Sequence, residues 1–468
     1  MEPLSLFISN LSTSLSSPSQ NFLDVLSKDN ISDLAFECGA CQRQRKFSLA
    51  DYLLGALSKM NGSMRDSEFT LNSFHMNYNS HCDEYSTMSH KCLHKQLDSE
   101  ESLNVVKLIV EQATALYSWK LKKRLKKHLP ENLKELLSLL KVKDIVLIDG
   151  TEIDLQYSCA CNFGCQGKGR DRLDGSSARP GAKLHVAFSV VQQTFIYIEI
   201  SEAVGSERER VYREYLKDSL LIADRGYIDE ELELSLTEAG IKFLIRGKVN
   251  TTGTIKSAFA DDGMKLCEYR GERLRDLPSH LNADVDITTV KGNILRVIHR
   301  YNHKSKDTEK ISILRTNIDR NILGAKQLYL LYKVRWNIEL FNKANKSGNN
   351  LKSINSGRKN IILIFVLLSL LASIIKTFCG AKVVLKHGVS YLSMLKLHRY
   401  NGLFTAMFDA LAHKNRSTIY QVFKELLDDI ALFCRRTEPS NRDRVLLKDL
   451  PLLIWQIVNQ PRISSKIA

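Results

Sequence analysis

The hydrophobic positions repeat at helical spacing in the first part of the chain and at strand spacing in the middle. Before about residue 140, Leu, Val, Ile and Ala recur three or four positions apart, which predicts amphipathic helices. Short apolar runs replace this repeat from about 141, and helical spacing returns after about 356. The pattern therefore predicts a helical N-terminal domain at 1–140, an α/β core at 141–355 and a helical C-terminal region at 356–468.

The middle region alternates between strand and helix patterns. Its apolar runs predict strands, in chain order, at 144–149, 184–191, 194–200, 219–224 and 241–245, with a helix at 229–239 before the last. The second and third of these strands are close enough to form a hairpin. This alternation predicts a mixed sheet. A β-rich insertion follows at about 250–322, and helical spacing resumes over 325–346.

Composition narrows the class of protein. The 468-residue chain has 67 Lys and Arg against 52 Asp and Glu, a formal net charge of +15, and 44% of its residues are hydrophobic. That hydrophobic share suffices for a buried core and excludes wholesale disorder. The excess of positive charge favours a polyanionic partner such as nucleic acid, although many basic proteins bind none.

The ends of the chain and its most apolar run bear on the compartment. The Ser-rich first thirty residues do not resemble a secretory signal, so we expect a cytoplasmic protein whose ten cysteines are reduced thiols. Residues 361–375 form an apolar run, which is shorter than the about 20 residues that a bilayer span needs. We therefore predict a buried helix there and no membrane association.

Two of the predicted strands end in an aspartate, Asp149 and Asp224. Side chains at the carboxyl ends of strands project from the rim of a sheet, where ligands bind in α/β proteins. Two carboxylates on neighbouring strands can share Mg²⁺ ions, which prefer oxygen ligands. Each aspartate taken alone is also explained as a residue that caps a turn.

The helix predicted at 325–346 carries a stripe of polar side chains. They are Tyr332, Arg335, Glu339 and Lys346. At about 100° per residue, an α-helix places all four within an arc of about 60°. A phenol, a carboxylate and two cations on one face suit the binding of a metal and of phosphate. The alternative is an exposed helix on which Arg335 and Glu339 form an ordinary ion pair.

These residues carry a resemblance to a known family. The spacing of Tyr332, Arg335, Glu339 and Lys346 resembles the Tyr-Arg-Glu-Lys pattern of a large group of bacterial insertion-sequence transposases, which have an Asp-Asp-Glu site in an RNase H-like fold. The Asp-Gly-Thr that begins at Asp149, the Ala-Asp-Arg-Gly-Tyr around 224 and the Gly-Ala-Lys-Leu-His at 181–185 are also similar to that group. The resemblance implies an RNase H-like mixed sheet core with a β-rich insertion, flanked by helical domains.

The resemblance also implies an activity. Asp149, Asp224 and Glu339 would bind two Mg²⁺ ions, for which Mn²⁺ could substitute. The enzyme would cleave at the transposon ends and transfer the 3′-hydroxyl into target DNA by a cut-and-paste route. Its partners would be double-stranded DNA, as inverted-repeat ends and as target, and a second copy of the chain in a synaptic homodimer. The signature's phosphate-contacting residues would be Tyr332, Arg335 and Lys346, and the protein would work at the bacterial nucleoid.

Some features depart from this resemblance. Asn337, Asn342 and Asn345 make the signature helix more polar than expected. Cys159, Cys161 and Cys165 could hold zinc with a fourth ligand, but their spacing is poor for a structural site and incidental thiols explain them better.

Further patterns leave alternatives open. Residues 85–97 loosely resemble a helix-turn-helix recognition segment, and the basic run 119–128 fits either a phosphate backbone or solvent. His185 could act as a base, although a histidine at the core or rim is the better interpretation. Two alternative functions also remain: an RNase H-fold nuclease that does not join strands, and an inactive transposase-derived DNA-binding protein.

Overall fold

The structure, a computed structural model, describes most of the chain. The described residues are 6–9, 22–41, 47–61, 70–81, 88–129, 131–163, 180–203, 206–302, 310–351, 354, 356–387, 392–399, 401–413 and 415–435. Their strands are β1 Leu6–Ser9, β2 Asp144–Asp154, β3 Gly181–Ser189, β4 Thr194–Glu202, β5 Ser219–Ala223, β6 Lys242–Arg246, β7 Thr254–Ala260, β8 Ala283–Thr288, β9 Ile294–Tyr301 and β10 Ile311–Thr316.

Helices occupy both ends of the described chain. Those between β1 and β2 are α1 Phe22–Val25, α2 Lys28–Glu37, α3 Leu49–Met60, α4 Leu71–His81, α5 His90–Leu97, α6 Glu100–Lys127 and α7 Glu131–Leu139. Those among the strands are α8 Ala160–Phe163, α9 Arg213–Leu216 and α10 Glu230–Glu238. Those after the sheet are α11 Ala325–Tyr332, α12 Trp336–Gly348, α13 Lys359–His387, α14 Met394–Arg399, α15 Asn401–His413 and α16 Arg416–Phe433.

All ten described strands form one mixed sheet in the order β1-β4-β3-β2-β5-β6-β10-β9-β8-β7. β2, β3 and β4 pair antiparallel, whereas β5 is parallel to both β2 and β6. The predicted hairpin is present, and Gln193 adopts a positive φ of 56° in its turn. The α/β class predicted from the sequence is confirmed.

Both faces of the central strands are covered. All five residues of β5 are buried, which agrees with its continuous apolar sequence. On β2, Ile145 and Leu147 pack into the core that includes the long helices, while Val146 and Ile148 pack into a second core on the opposite face. Because side chains alternate along a strand, Asp149 projects from the same face as Leu147.

The helices before and after the sheet pack against each other. α13 packs along α6, and α15 packs against α3 and α16. The most apolar stretch of α13 would suffice by length and composition to cross a membrane, but it is completely buried within the protein. The prediction of a buried helix at 361–375 is confirmed, because the surrounding helices and the sheet cover its whole circumference.

Several element boundaries differ from the predictions. β1 was not predicted; it is a four-residue edge strand that pairs antiparallel with β4. β2 continues to Asp154, because β3 supplies hydrogen-bonding partners for five residues beyond Asp149. The β-rich insertion is not a separate sheet, since β10 returns to pair with β6. The helix predicted over 325–346 is interrupted by a 3-10 turn at Lys333–Arg335.

Candidate active site

The register of the sheet brings the two predicted aspartates together. Leu147 of β2 lies opposite Ile222 of β5 in the parallel pair. Extending that register by two residues places the backbone of Asp149 opposite that of Asp224, and the backbones of neighbouring strands lie about 5 Å apart. Asp224 directly follows β5, and its Oδ1 accepts a hydrogen bond of 2.8 Å from the backbone N–H of Gly226. The sequence predicted this juxtaposition, although β2 does not end at Asp149.

The third predicted carboxylate lies on α12, which packs over β2. Ile338 and Phe341 anchor α12 in the core that also contains Leu147. Asn342, one turn from Glu339, donates a hydrogen bond of 3.0 Å from its Nδ2 to Oδ2 of Asp149. Because α12 is a regular α-helix, Lys346 shares the face of Glu339, seven residues earlier. The polar face of α12 is therefore directed toward the aspartate-bearing edge of the sheet.

Arg335 connects the turn before α12 to this face. Its Nη2 forms an ion pair with Oε1 of Glu339, and both side chains are more than two-thirds buried. Its guanidinium carbon lies 5.9 Å from the ring centroid of Tyr332. Tyr332 and Arg335 lie at the end of α11 and in the 3-10 turn, so the continuous α-helical wheel predicted for all four signature residues is wrong at its first turn. They nevertheless remain beside Glu339.

The charges of the neighbouring carboxylates change the pKa of Asp149. Burial raises the pKa of Asp149 to about 7; the negative charges of Asp224 and Glu339 add to this rise, while Arg335 and the hydrogen bond from Asn342 oppose it. This carboxyl group therefore lies where negative charge is poorly compensated. A cation bound at this edge would relieve that repulsion.

The pKa of Tyr332 depends on some of the same charged groups. Burial raises the pKa of its phenol to about 12, and Arg335 and Arg246 oppose the rise, whereas Asp224 adds to it. Arg246 is the last residue of β6, one strand beyond Asp224 in the sheet. Arg246 was not among the residues predicted for this site, and Asn342 was predicted to be polar without a role. The spacing of Asn342 from Glu339 on one helix face was a usable signal, whereas the position of Arg246 follows from strand pairing.

The three carboxylates have the chemistry of a site for hard divalent cations, but their side chains interact with other groups. Asp149, Asp224 and Glu339 offer the carboxylate oxygens that Mg²⁺ prefers. Each of them is already engaged by a neighbouring donor: Asn342, Gly226 and Arg335, respectively. Within the described part of the chain, no three His, Cys, Asp or Glu side chains are grouped closely enough to hold a metal ion. Shared binding of a metal ion would therefore require these side chains to leave their present partners and rotate.

His185 lies on the far side of the sheet edge from α12. It pairs with Gly150, so its side chain alternates with that of Asp149. Its Nε2 lies 2.8 Å from Oγ of Ser201. Burial, with the cations Arg210 and Lys183, lowers the pKa of His185 to about 3. The interpretation as a buried histidine agrees with this environment, and a proton-accepting role toward the Asp149 face does not.

The remaining candidate segments are only partly described. Cys159 is buried and donates from its Sγ to the carbonyl oxygen of Ser356 at 3.0 Å, while Cys161 is exposed and Cys165 lies outside the described residues. Of the helix-turn-helix candidate at 85–97, residues 85–87 lie outside the described residues, and its second half forms α5. DNA reading by α5 stays a prediction.

Comparison with known proteins identifies the family. A model of the transposase DDE domain matches residues 140–375, about half of the chain, and the protein belongs to this family. A curated relative, the transposase for insertion sequence element IS1151 of Clostridium perfringens, is 26% identical over 267 residues. That match covers 47% of this chain and 56% of the relative, so the chain spans about half the length of the relative it matches. The predicted kinship with insertion-sequence DDE transposases is confirmed.

Proposed function

We propose that the protein is a DNA transposase that cleaves at the ends of its mobile element and transfers the freed 3′-hydroxyl into target DNA by a cut-and-paste route. The observation that supports this proposal is that Asp224 and Glu339 both lie near enough to Asp149 for their charges to raise its pKa, in a chain of the DDE family. The strand order β4-β3-β2-β5-β6, with β5 and β6 parallel to β2, supports an RNase H-like core.

Asp149, Asp224 and Glu339 would hold two Mg²⁺ ions, or Mn²⁺ in their place. Bound ions would supply an activated water or 3′-hydroxyl and stabilise the leaving oxygen of the phosphodiester. Glu339 would exchange its ion pair with Arg335 for this role, which releases the guanidinium toward a phosphate. Asn342 would keep Asp149 oriented through its amide hydrogen bond.

The substrate would be double-stranded DNA at the element's inverted repeats and at the target. Arg335 offers a planar, two-pronged donor to phosphate oxygens, and Lys346 and Tyr332 add a point charge and a phenol near the same edge. The formal net charge of +15 favours association with the DNA backbone. Joining two ends would require a homodimer on DNA, working in the bacterial cytoplasm.

The experiment supplies the inverted repeats that flank the coding region as labelled DNA, with target DNA and Mg²⁺. We expect cleaved ends and joined products from the wild type. Asp224→Asn should reduce both by at least about a thousandfold while DNA binding stays equal or tighter, because a negative charge near phosphate is removed. Glu238→Gln, an exposed change at the end of α10, is the control and should retain activity.

The products also separate the alternatives. Cleavage without joining by the wild type would identify an RNase H-fold nuclease, and binding without cleavage would identify an inactive DNA-binding relative. Normal cleavage by Asp224→Asn would contradict the site assignment.

A further inference from the structure

A fourth acidic side chain, Glu207, lies against both segments that carry the aspartates. A Cβ built on Gly150 would lie 2.5 Å from its Oε1, and a Cβ built on Gly226 would lie 2.8 Å from its Oε2. The two oxygens of one carboxylate thus contact the residue after Asp149 and the residue two positions after Asp224. Any side chain larger than hydrogen at either glycine would displace this carboxylate.

A lysine from the neighbouring strand holds Glu207 in this position. Lys183 Nζ lies 2.6 Å from Glu207 Oε1, and the two side chains are only 12% and 22% exposed. Lys183 Nζ also lies 4.0 Å from Oε1 of Glu152, its cross-strand neighbour on β2. An ion pair this shielded from water is screened far less by salt than a surface pair. The location of Glu207 is therefore set by a specific partner.

Glu207 occupies the face of the sheet opposite Glu339. Lys183 pairs with Glu152, so both project from the face that alternates with that of Asp149. The buried phenol of Tyr227 packs in the core on this same face: burial raises its pKa, and the charges of Glu207, Asp149 and Asp224 raise it further. Glu207 therefore lies opposite Asp149 across the backbone at Gly150, whereas beside Gly226 its Oε2 and Oδ1 of Asp224 flank the same position.

We propose that Glu207, held by Lys183, is a positioning residue that fixes the two aspartate segments and whose negative charge favours cation binding beside them. This inference rests on the proposed metal-dependent function. Removing the charge of Glu207 leaves Lys183 with the more distant and more exposed Glu152 as its counter-ion, so the site gains net positive charge that repels Mg²⁺ or Mn²⁺. Removing Lys183 has the opposite effect, because an uncompensated carboxylate then remains. A purely structural brace would weaken the site in both cases.

The test is calorimetric titration of Mn²⁺ alone into the full-length chain at pH 7.5. Glu207→Gln preserves shape and should weaken Mn²⁺ binding about tenfold. Gly150→Ala, which displaces the carboxylate, should weaken it similarly, and Lys183→Met should tighten it several-fold. Glu209→Gln removes the same charge from an exposed neighbour two residues away, and it should leave the affinity within about twofold, because solvent screens that position.

The reference variant Asp149→Asn separates the two possible failures. If Mn²⁺ binding by the wild type does not depend on Asp149, the proposed function fails. If binding depends on Asp149 but Glu207→Gln leaves it unchanged, or Lys183→Met weakens it, the role of Glu207 is overturned while the proposed function stands. Should Glu207→Gln not fold, the direction of the Lys183→Met change decides alone.

Discussion

At the residue scale, Asp149 is a member of the candidate site whose pKa is raised by burial and by neighbouring negative charge. It is a largely buried carboxyl group with two further carboxylates near it, one amide donor and one nearby guanidinium. Its pKa of about 7 means that at neutral pH about half of the metal-free folded molecules keep this proton, which the unfolded chain, with a carboxyl pKa near 4, has lost. When no cation is bound, this buried carboxyl group therefore lowers the free energy of unfolding at neutral and higher pH.

Asp149→Asn should accordingly stabilise the metal-free protein at high pH. The folded pKa is raised, so the contribution of the protonated carboxyl is fully present below about pH 4 and is lost as pH rises through about 7. At pH 8 the variant should be more stable than the wild type by ~2–4 kcal/mol, a difference that shrinks toward pH 5. Urea unfolding in EDTA measures this difference. A variant that is less stable than the wild type at pH 8 would contradict the assigned environment.

Single residues differed in how far the sequence revealed them. Asp149 and Asp224 were predictable because strand patterns place both at one rim, and Glu339 because its helix carries a recognisable spacing. Asn342 was visible only as an unexplained polar residue, since its partner lies 193 positions earlier in the chain. Glu207 belongs to no local pattern, because its contacts with Gly150 and Gly226 exist only after three segments have paired.

At the scale of elements, a buried lysine side chain from α13 fixes α12 at its C-terminal end. Lys376 of α13 is fully buried, and its Nζ donates to Gly348 O at 3.1 Å, Asn349 Oδ1 at 2.8 Å and His398 O at 3.0 Å. Burial lowers the pKa of Lys376 to about 7. The three acceptors match the three N–H donors of an ammonium group, and a helix C-terminus also favours the charged form, so both oppose this shift. The helix that carries Glu339 is thus tied to both α13 and α14.

Replacing this lysine should therefore destabilise the fold. Lys376→Met keeps the apolar stem but leaves three buried oxygens without their donor, which should cost about 2–4 kcal/mol in the free energy of unfolding. Lys386→Met is the matched control on the same helix, because Lys386 makes an exposed ion pair with Asp428 and its loss should cost less than about 1 kcal/mol. Equal losses for the two variants in urea unfolding would refute this account of Lys376.

A second element-level contact ties α10 to the far half of the sheet. Arg315 of β10 donates from Nε and Nη2 to both carboxylate oxygens of Glu233 at 2.7 and 2.6 Å, and both residues are buried. Glu233→Ala would leave the guanidinium buried without its counter-ion and should cost about 3–5 kcal/mol. Glu231→Ala breaks only the exposed pair with Lys291 and should cost less than about 1 kcal/mol. Thermal or urea unfolding of both variants measures the difference; a small loss for Glu233→Ala would show that the pair is dispensable.

Over the whole molecule, one continuous core joins the helices of both termini to one face of the sheet. The sequence predicted the order of helical and strand regions, because hydrophobic periodicity is a local property. It could not predict that helices from residues 22–139 pack with those beyond 359, or that β10 closes onto β6, because such contacts depend on long-range packing. The division into three domains therefore stays a prediction, and it does not describe how the three segments share a core.

The proposed function depends on Asp149, Asp224 and Glu339 holding divalent ions together. The most direct measurement replaces Mg²⁺ with Fe²⁺ in the full-length chain and maps where ascorbate and peroxide cleave the polypeptide beside the bound metal. The account predicts cuts clustered near all three residues, suppressed by excess Mg²⁺ and lost in Asp224→Asn. Cuts confined to one of these segments, or unaffected by Asp224→Asn, would contradict it.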